Sequence, residues 1–188
     1  MSKLEKYEWD SLWWEEPENK NKRHVLYIGD SISHGTTPKL NALDENLAVD
    51  NFATSKAVDN PSYIKALEVF AAQNPGYDTL LFNNGLHGFH LSVENYEKFY
   101  EEVFLKVKEL FKNAKPYIIL STFTKTENDA AVILRNAAAV RIAEKQGIEI
   151  IDFYTLSKEN AHTISADNVH FTDEGYELLA KEIFKRIR

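Results

Sequence analysis

Val25-Leu26-Tyr27-Ile28-Gly29-Asp30-Ser31 is the stretch that decides how this chain folds. Four consecutive apolar residues closed by a glycine read as a strand buried on both faces, with a polar turn into a helix behind it. The same alternation recurs outward from there. Leu47 to Phe52 is a weaker strand candidate, Thr79 to Phe82 a third strand, Tyr117 to Leu120 a fourth and Ile148 to Phe153 a fifth. Asn60-Pro61 supplies an N-cap and a proline suited to the first helical position, so a helix is expected from there to about Gln73, stopped by Gly76. Val93 to Asn113 carries Phe99, Val103, Val107, Leu110 and Phe111 at helical spacing. Asp129 opens a helix to Gln146 with Gly147 beyond its end. The last helix starts near Thr172, with Asp173 and Glu174 in its first turn and Lys181, Lys185, Arg186 and Arg188 at its negative pole. Short apolar runs alternating with longer periodic segments predict βαβ units and an α/β fold with a mostly parallel, five-stranded sheet.

A length of 188 residues suits one domain with a short appendage. The appendage is residues 1–23, which hold all three tryptophans (Trp9, Trp13, Trp14) among charged side chains and end in a linker from Asn19 to Arg23. The expectation is a peripheral aromatic and charged arm followed by a domain over residues 24–188. There are 22 Lys plus Arg against 29 Asp plus Glu, a net charge of −7, which argues against a nucleic-acid partner and a polybasic membrane surface. No stretch approaches the roughly 18 apolar residues of a spanning helix. No apolar signal region precedes residue 24, so a cytoplasmic location is the expectation. Oligomeric state leaves no trace in the sequence. The chain has no cysteine, which removes disulfides, thiolate metal sites and thiol nucleophiles together. A covalent catalyst here must be Ser, Thr, Lys or a carboxylate.

In an open parallel sheet, ligands bind outside the carboxyl ends of the strands. Gly29-Asp30-Ser31 lies there after the first strand, and Asp167-Asn168-Val169-His170 lies just before the last helix. Taken alone, the first is also an ordinary helix cap and the second an ordinary surface turn. Together they supply a hydroxyl, a base, and a carboxylate three residues from that base, able to reach its Nδ1–H.

In these two blocks, Gly29-Asp30-Ser31-Ile32 and Asp167-Asn168-Val169-His170, the chain resembles the SGNH hydrolases, the GDSL-like esterases and lipases. The resemblance runs from about Val25 to the C-terminus. It implies a three-layer α/β/α sandwich of flavodoxin-like kind and a triad of Ser31 (nucleophile), His170 (base, then acid) and Asp167 (orienting group), without metal or other cofactor. It also implies a small-molecule ester as substrate, and the absence of room for a long lid tilts the expectation to a short acyl group, such as an acetyl ester on a carbohydrate. A lysophospholipase or thioesterase activity, or a non-catalytic ligand-binding relative, is the alternative.

The middle blocks depart from the family pattern. Where an oxyanion-binding glycine is usual, Asn51-Phe-Ala53-Thr-Ser55-Lys56 offers Ser55 or Lys56, whose backbone N–H could still donate. Where Gly-x-Asn-Asp is usual, the chain reads Asn83-Asn84-Gly85-Leu86-His87-Gly88, so His87 takes the place of the asparagine, with Asn84 as fallback. Ser31 N–H completes the expected oxyanion hole, and Asp30, His34 and Asn51 are expected to line the substrate pocket. His87 and His90, three residues apart, lack an accompanying ligand set for a metal. A flavin or dinucleotide site would need a glycine-rich loop after the first strand, and a phosphate-accepting receiver an aspartate after the third; neither is present.

Overall fold

The computed structural model describes residues 4–73 and 76–188, so the first three positions of the arm lie outside the described residues. Its elements run β1 (Asp10–Trp13), β2 (Arg23–Gly29), α1 (Ser31–Asn41), β3 (Leu47–Thr54), α2 (Tyr63–Ala71), β4 (Thr79–Phe82), α3 (Val93–Leu110), β5 (Lys115–Ile119), α4 (Asp129–Gln146), β6 (Glu149–Ile151), α5 (Phe153–Glu159) and α6 (Asp173–Ile187). A single six-stranded sheet has the order β1-β3-β2-β4-β5-β6. All pairings are parallel except β1 on β3, where Asp10 faces Thr54 and Trp13 faces Asn51.

The sheet is mostly parallel, as the alternation of elements predicts, but it has six strands rather than five. The extra one is β1, from the stretch read as a peripheral arm. Asp10-Ser11-Leu12-Trp13 shows no apolar run because an edge strand is half solvated, and its backbone pairing, invisible to hydrophobic patterning, is what holds it. Trp14 stacks on Phe70 of α2, ring centroids 4.5 Å apart and planes 9° from parallel. Glu15 N–H donates to buried Asp50 at 2.7 Å, and the Tyr77 hydroxyl donates to the other Asp50 oxygen at 2.8 Å. These bonds explain how β3 carries Asp50 and Asn51 while buried along its whole length. Their polarity is what makes that strand weak as a sequence signal.

Strand β2 shows why the core has two halves. Successive side chains alternate faces, so Leu26 and Ile28 join the cluster with α2, α3 and α4, while Val25 and Tyr27 join the one with α1, α5 and α6. Helices therefore cover both faces, giving the α/β/α sandwich. The last strand is shorter than Ile148 to Phe153 suggests. Asp152 accepts from Thr155 N–H and caps a separate helix, α5, which apolar content alone hides. Helix α2 also starts two residues later than Pro61, since the Asn60 side chain accepts from Ser62 N–H and holds that turn outside the helix. Among the described residues no helix is long and apolar enough to cross a membrane.

Truncating Phe70 to Ala should cost about 3–5 kcal/mol in urea unfolding. A double-mutant cycle with Trp14→Ala should show a coupling of roughly 0.5–1.5 kcal/mol. Strict additivity would mean that the segment behind β1 is not fastened by this stack.

Candidate active site

The order of the sheet sets the location. From β2 the chain crosses to β3 on one side and later returns to β4 on the other, so the carboxyl end of β2 opens on a crevice between diverging connections. Gly29 ends that strand, and a Cβ there would come within 2.7 Å of Ser33 Cβ, so only glycine lets α1 start this tightly against the sheet. Asp30 caps α1: one carboxylate oxygen accepts from Ile32 N–H at 2.9 Å, and the other, buried, has no partner among the described residues. Burial raises the Asp30 pKa above the ordinary aspartate value, with the nearby His87, the Ile32 N–H and then His170 opposing the rise. Ser31 is the first helical residue. Among the described residues nothing accepts from its N–H, which stands with the partial positive charge of the helix N-terminus.

The imidazole that meets Ser31 lies 139 positions further along the chain. An antiparallel bridge between Ile164 and Phe171 closes a loop, reinforced by Ser165 N–H to His170 O at 2.8 Å. Within it Asn168 adopts a left-handed φ of 67°, which Asn tolerates better than most residues, and its carbonyl accepts from Lys125 N–H. Asp167 Oδ1 accepts from Ser165 Oγ, Val169 N and His170 N, each at 2.9 Å, and Asp167 Oδ2 lies 2.6 Å from His170 Nδ1. The Val169 N–H foremost, then the bonds to His170 and Ser165, hold this carboxyl well below the ordinary aspartate range against the opposing effect of burial. His170 Nε2 is 2.8 Å from Ser31 Oγ. An ionised Asp167 can only accept, so Nδ1 carries the ring proton and Nε2 of the neutral ring takes the Ser31 hydroxyl hydrogen. Ser31, His170 and Asp167, the three residues expected to act together, are thus joined in one hydrogen-bonded line.

The other expected residues lie differently. Ser55 N–H donates to Trp9 O at 3.1 Å and Lys56 N–H to Thr54 Oγ1 at 3.0 Å. Both backbone donors considered for the oxyanion are therefore engaged, the first by the segment leading into β1, the second by its own turn. Asn84 is buried, with its side-chain amide donating to Lys56 O and its backbone carbonyl accepting from the Tyr96 hydroxyl. Asn51 sits beneath the site rather than in it, donating to Tyr27 O at 2.8 Å and Ser33 Oγ at 3.0 Å. His34 turns outward to Ser11 at 3.3 Å, in a small cleft with Trp13, Thr37, Pro38 and Asn51 whose lining excludes Ser31. His87 and His90 face different carboxylates, Glu5 at 3.1 Å and Asp59 at 2.9 Å.

Two participants have no sequence signal. Arg135 of α4 is 2% exposed, and its guanidinium donates to the carbonyls of Gly85 (2.9 Å), His87 (2.7 Å) and Gly88 (2.6 Å), over the rings of Phe89 and Tyr96. It fixes the loop that carries His87. An arginine within a helix reads as solvated, and only the fold shows it turned inward. Gly88 takes a φ of +72° in that loop, with room for no Cβ beside Ala57. Glu5 is the second participant: it accepts from both His87 Nδ1 and Gly88 N–H (2.9 Å).

No family model and no curated protein matches this chain. Solved structures do superpose on it. A lipase/acylhydrolase from Enterococcus faecalis aligns with a TM-score of 0.70 at 17% identity, over 88% of this chain and 95% of that one. A member of the lipolytic protein G-D-S-L family from Veillonella parvula gives 0.68 at 21% identity, over 88% and 98%. Axe2, an acetylxylan esterase from Geobacillus stearothermophilus, gives 0.65 at 17% identity, over 89% and 96%. Likeness at these identities establishes a shared fold.

Arg135→Lys keeps the charge and loses the planar fork that reaches three carbonyls. It should lower unfolding stability by about 1–3 kcal/mol and raise amide exchange in residues 85–88 selectively. Unchanged exchange there would show that the loop holds itself.

Proposed function

We propose that this chain, which has the fold of the lipolytic G-D-S-L and acetylxylan-esterase structures it superposes on, is a serine esterase. The observation that carries the reading is the line Asp167–His170–Ser31, with contacts of 2.6 and 2.8 Å, at the N-terminus of α1. In this reading His170 Nε2 takes the Ser31 proton as Oγ attacks the ester carbonyl carbon. Asp167 keeps the ring oriented and stabilises the imidazolium that forms. Charge on the carbonyl oxygen is met by Ser31 N–H, backed by the dipole of α1, and by the His87 ring. Collapse expels the alcohol with the proton from His170. A water then repeats the sequence on the acyl-Ser31 ester and frees the acid.

The substrate we assign is a small, short-chain ester, such as an acetyl group on a carbohydrate. A cleft of about 130 Å³, large enough for a few heavy atoms, is lined by Leu86, Phe89, Thr124, Thr126, Asn128 and Val169, of which Leu86 and Phe89 flank His87 and Val169 precedes His170 in the chain. One of the superposed proteins, Axe2, is an acetylxylan esterase.

A fluorophosphonate probe should label Ser31, and Ser31→Ala should abolish both labelling and p-nitrophenyl acetate turnover. No turnover of any short ester together with no labelling would instead favour a ligand-binding protein that keeps the fold. Chain-length preference beyond about C8 would overturn the acetyl assignment and support an acylhydrolase on long chains. His87→Ala should lower kcat by about 10²–10³.

The acid limb of kcat/KM carries a second check. Asp167 has a folded-state pKa below its unfolded one, so it stays ionised until the pH falls through that depressed value, far below neutrality. The limb should therefore have unit slope, from protonation of His170 alone. A slope of two, or a flat profile from pH 5 to 8, removes this assignment.

A further inference from the structure

The segment before β1 crosses the carboxyl ends of β3 and β4, where the site lies. Trp9 pairs with Ser55 through Trp9 N–H to Ser55 Oγ at 2.8 Å and Ser55 N–H to Trp9 O at 3.1 Å. Asp10 accepts from Thr54 Oγ1 and Lys56 Nζ, each at 2.6 Å. Glu8 accepts from Asn60 Nδ2 at 2.9 and 3.0 Å and from Glu5 N–H at 3.2 Å. This chain of anchors brings the Glu5 carboxylate onto His87 Nδ1 and Gly88 N–H.

Proton accounting at His87 gives this contact a consequence. A carboxylate can only accept, so Nδ1 bears hydrogen. A neutral ring with its hydrogen there has a lone pair on Nε2, and a lone pair repels an oxyanion. His87 can give Nε2–H to an oxyanion while bonded to Glu5 only when both nitrogens are protonated. The half-buried Glu5 carboxylate lies 3.1 Å from Nδ1, within reach to pair with a ring in that state. The charges around the ring are Glu5 from the arm, Asp30 from the cap of α1, and Arg135 from α4, which bonds the His87 carbonyl rather than the ring. His170 is neutral in the reactive state, and Lys56 is paired with Asp10.

We propose that Glu5 is a positioning residue that holds His87 as a charged oxyanion donor, so that the segment before β1 is part of the active site. The proposal rests on the esterase reading and deepens it. Ester hydrolysis then requires His170 deprotonated and His87 protonated, two histidines in opposite states, each set by its own carboxylate. The kcat profile should be bell-shaped, with an alkaline limb belonging to His87.

Glu5→Gln tests it, since the amide oxygen can still accept from Nδ1–H while the charge is gone. In this variant the alkaline limb should move to lower pH, and kcat at pH 8 should fall about tenfold or more with KM within threefold, because the lost interaction exists only in the transition state. Glu5→Asp should recover part of the rate. An unchanged kcat and alkaline limb in Glu5→Gln would overturn the proposal. A rise in kcat would overturn it too, by showing that the carboxylate blocks the oxyanion position. A readout without ester separates this from the esterase reading: ¹⁵N ring signals of His87, titrated in wild type and Glu5→Gln. If the wild type hydrolyses no ester in a Ser31-dependent way, the esterase reading fails on its own. An identical His87 titration in the two proteins refutes the Glu5 link whatever the activity.

Discussion

Strand β2 is bonded along both edges and buried on both faces, and the placement of every other element follows from that one constraint. Its neighbours β3 and β4 must lie on opposite sides, its side chains must divide between two helical layers, and its only exit is the turn at Gly29. The turn can be tight because no Cβ intervenes between Gly29 and Ser33. A serine thereby stands at the positive end of a helix, over the crevice where an open parallel sheet leaves its ligands.

Two carboxylate–imidazole pairs, one bonded to that serine and one in the loop after β4, are built by different means. Asp167 and His170 share a single turn, and the carboxylate is held ionised by three donors from that same turn. Glu5 and His87 are 82 positions apart and meet because Trp9, Asp10 and Glu8 fasten the approaching segment to Ser55, Thr54, Lys56 and Asn60. The first pair is set by local chain geometry and the second by sheet pairing. Arg135 supports the second pair from below, and its desolvation is offset by three carbonyls and two aromatic faces.

How much of this was legible in the sequence follows the same division. Strands such as Val25–Ile28 and Thr79–Phe82 announce themselves by apolar runs, α4 by the glycine beyond its end and α6 by Thr172 and the charges at its two poles, so the α/β architecture could be read directly. Ser31, Asp167 and His170 could be read because two short blocks carry them. Strand β1 could not, since backbone pairing at an edge leaves no hydrophobic period. Arg135 could not, since charge in a helix looks solvated until the neighbouring loop supplies acceptors. Ser55 and Lys56 sit at the right point after β3, but whether their N–H groups are open depends on Trp9 and on a turn that only the folded chain defines.

The contact between His170 and Ser31 joins positions 139 apart, across an interface that packs α6 on α1. During synthesis Ser31, its helix, both flanking strands and the loop of His87 emerge well before His170, which follows Ser31 by 139 positions. The line from Asp167 through His170 to Ser31 therefore closes only once α6 packs on α1. In the esterase proposed above, the rate of turnover would double as a measure of the fraction of molecules in which that packing is complete.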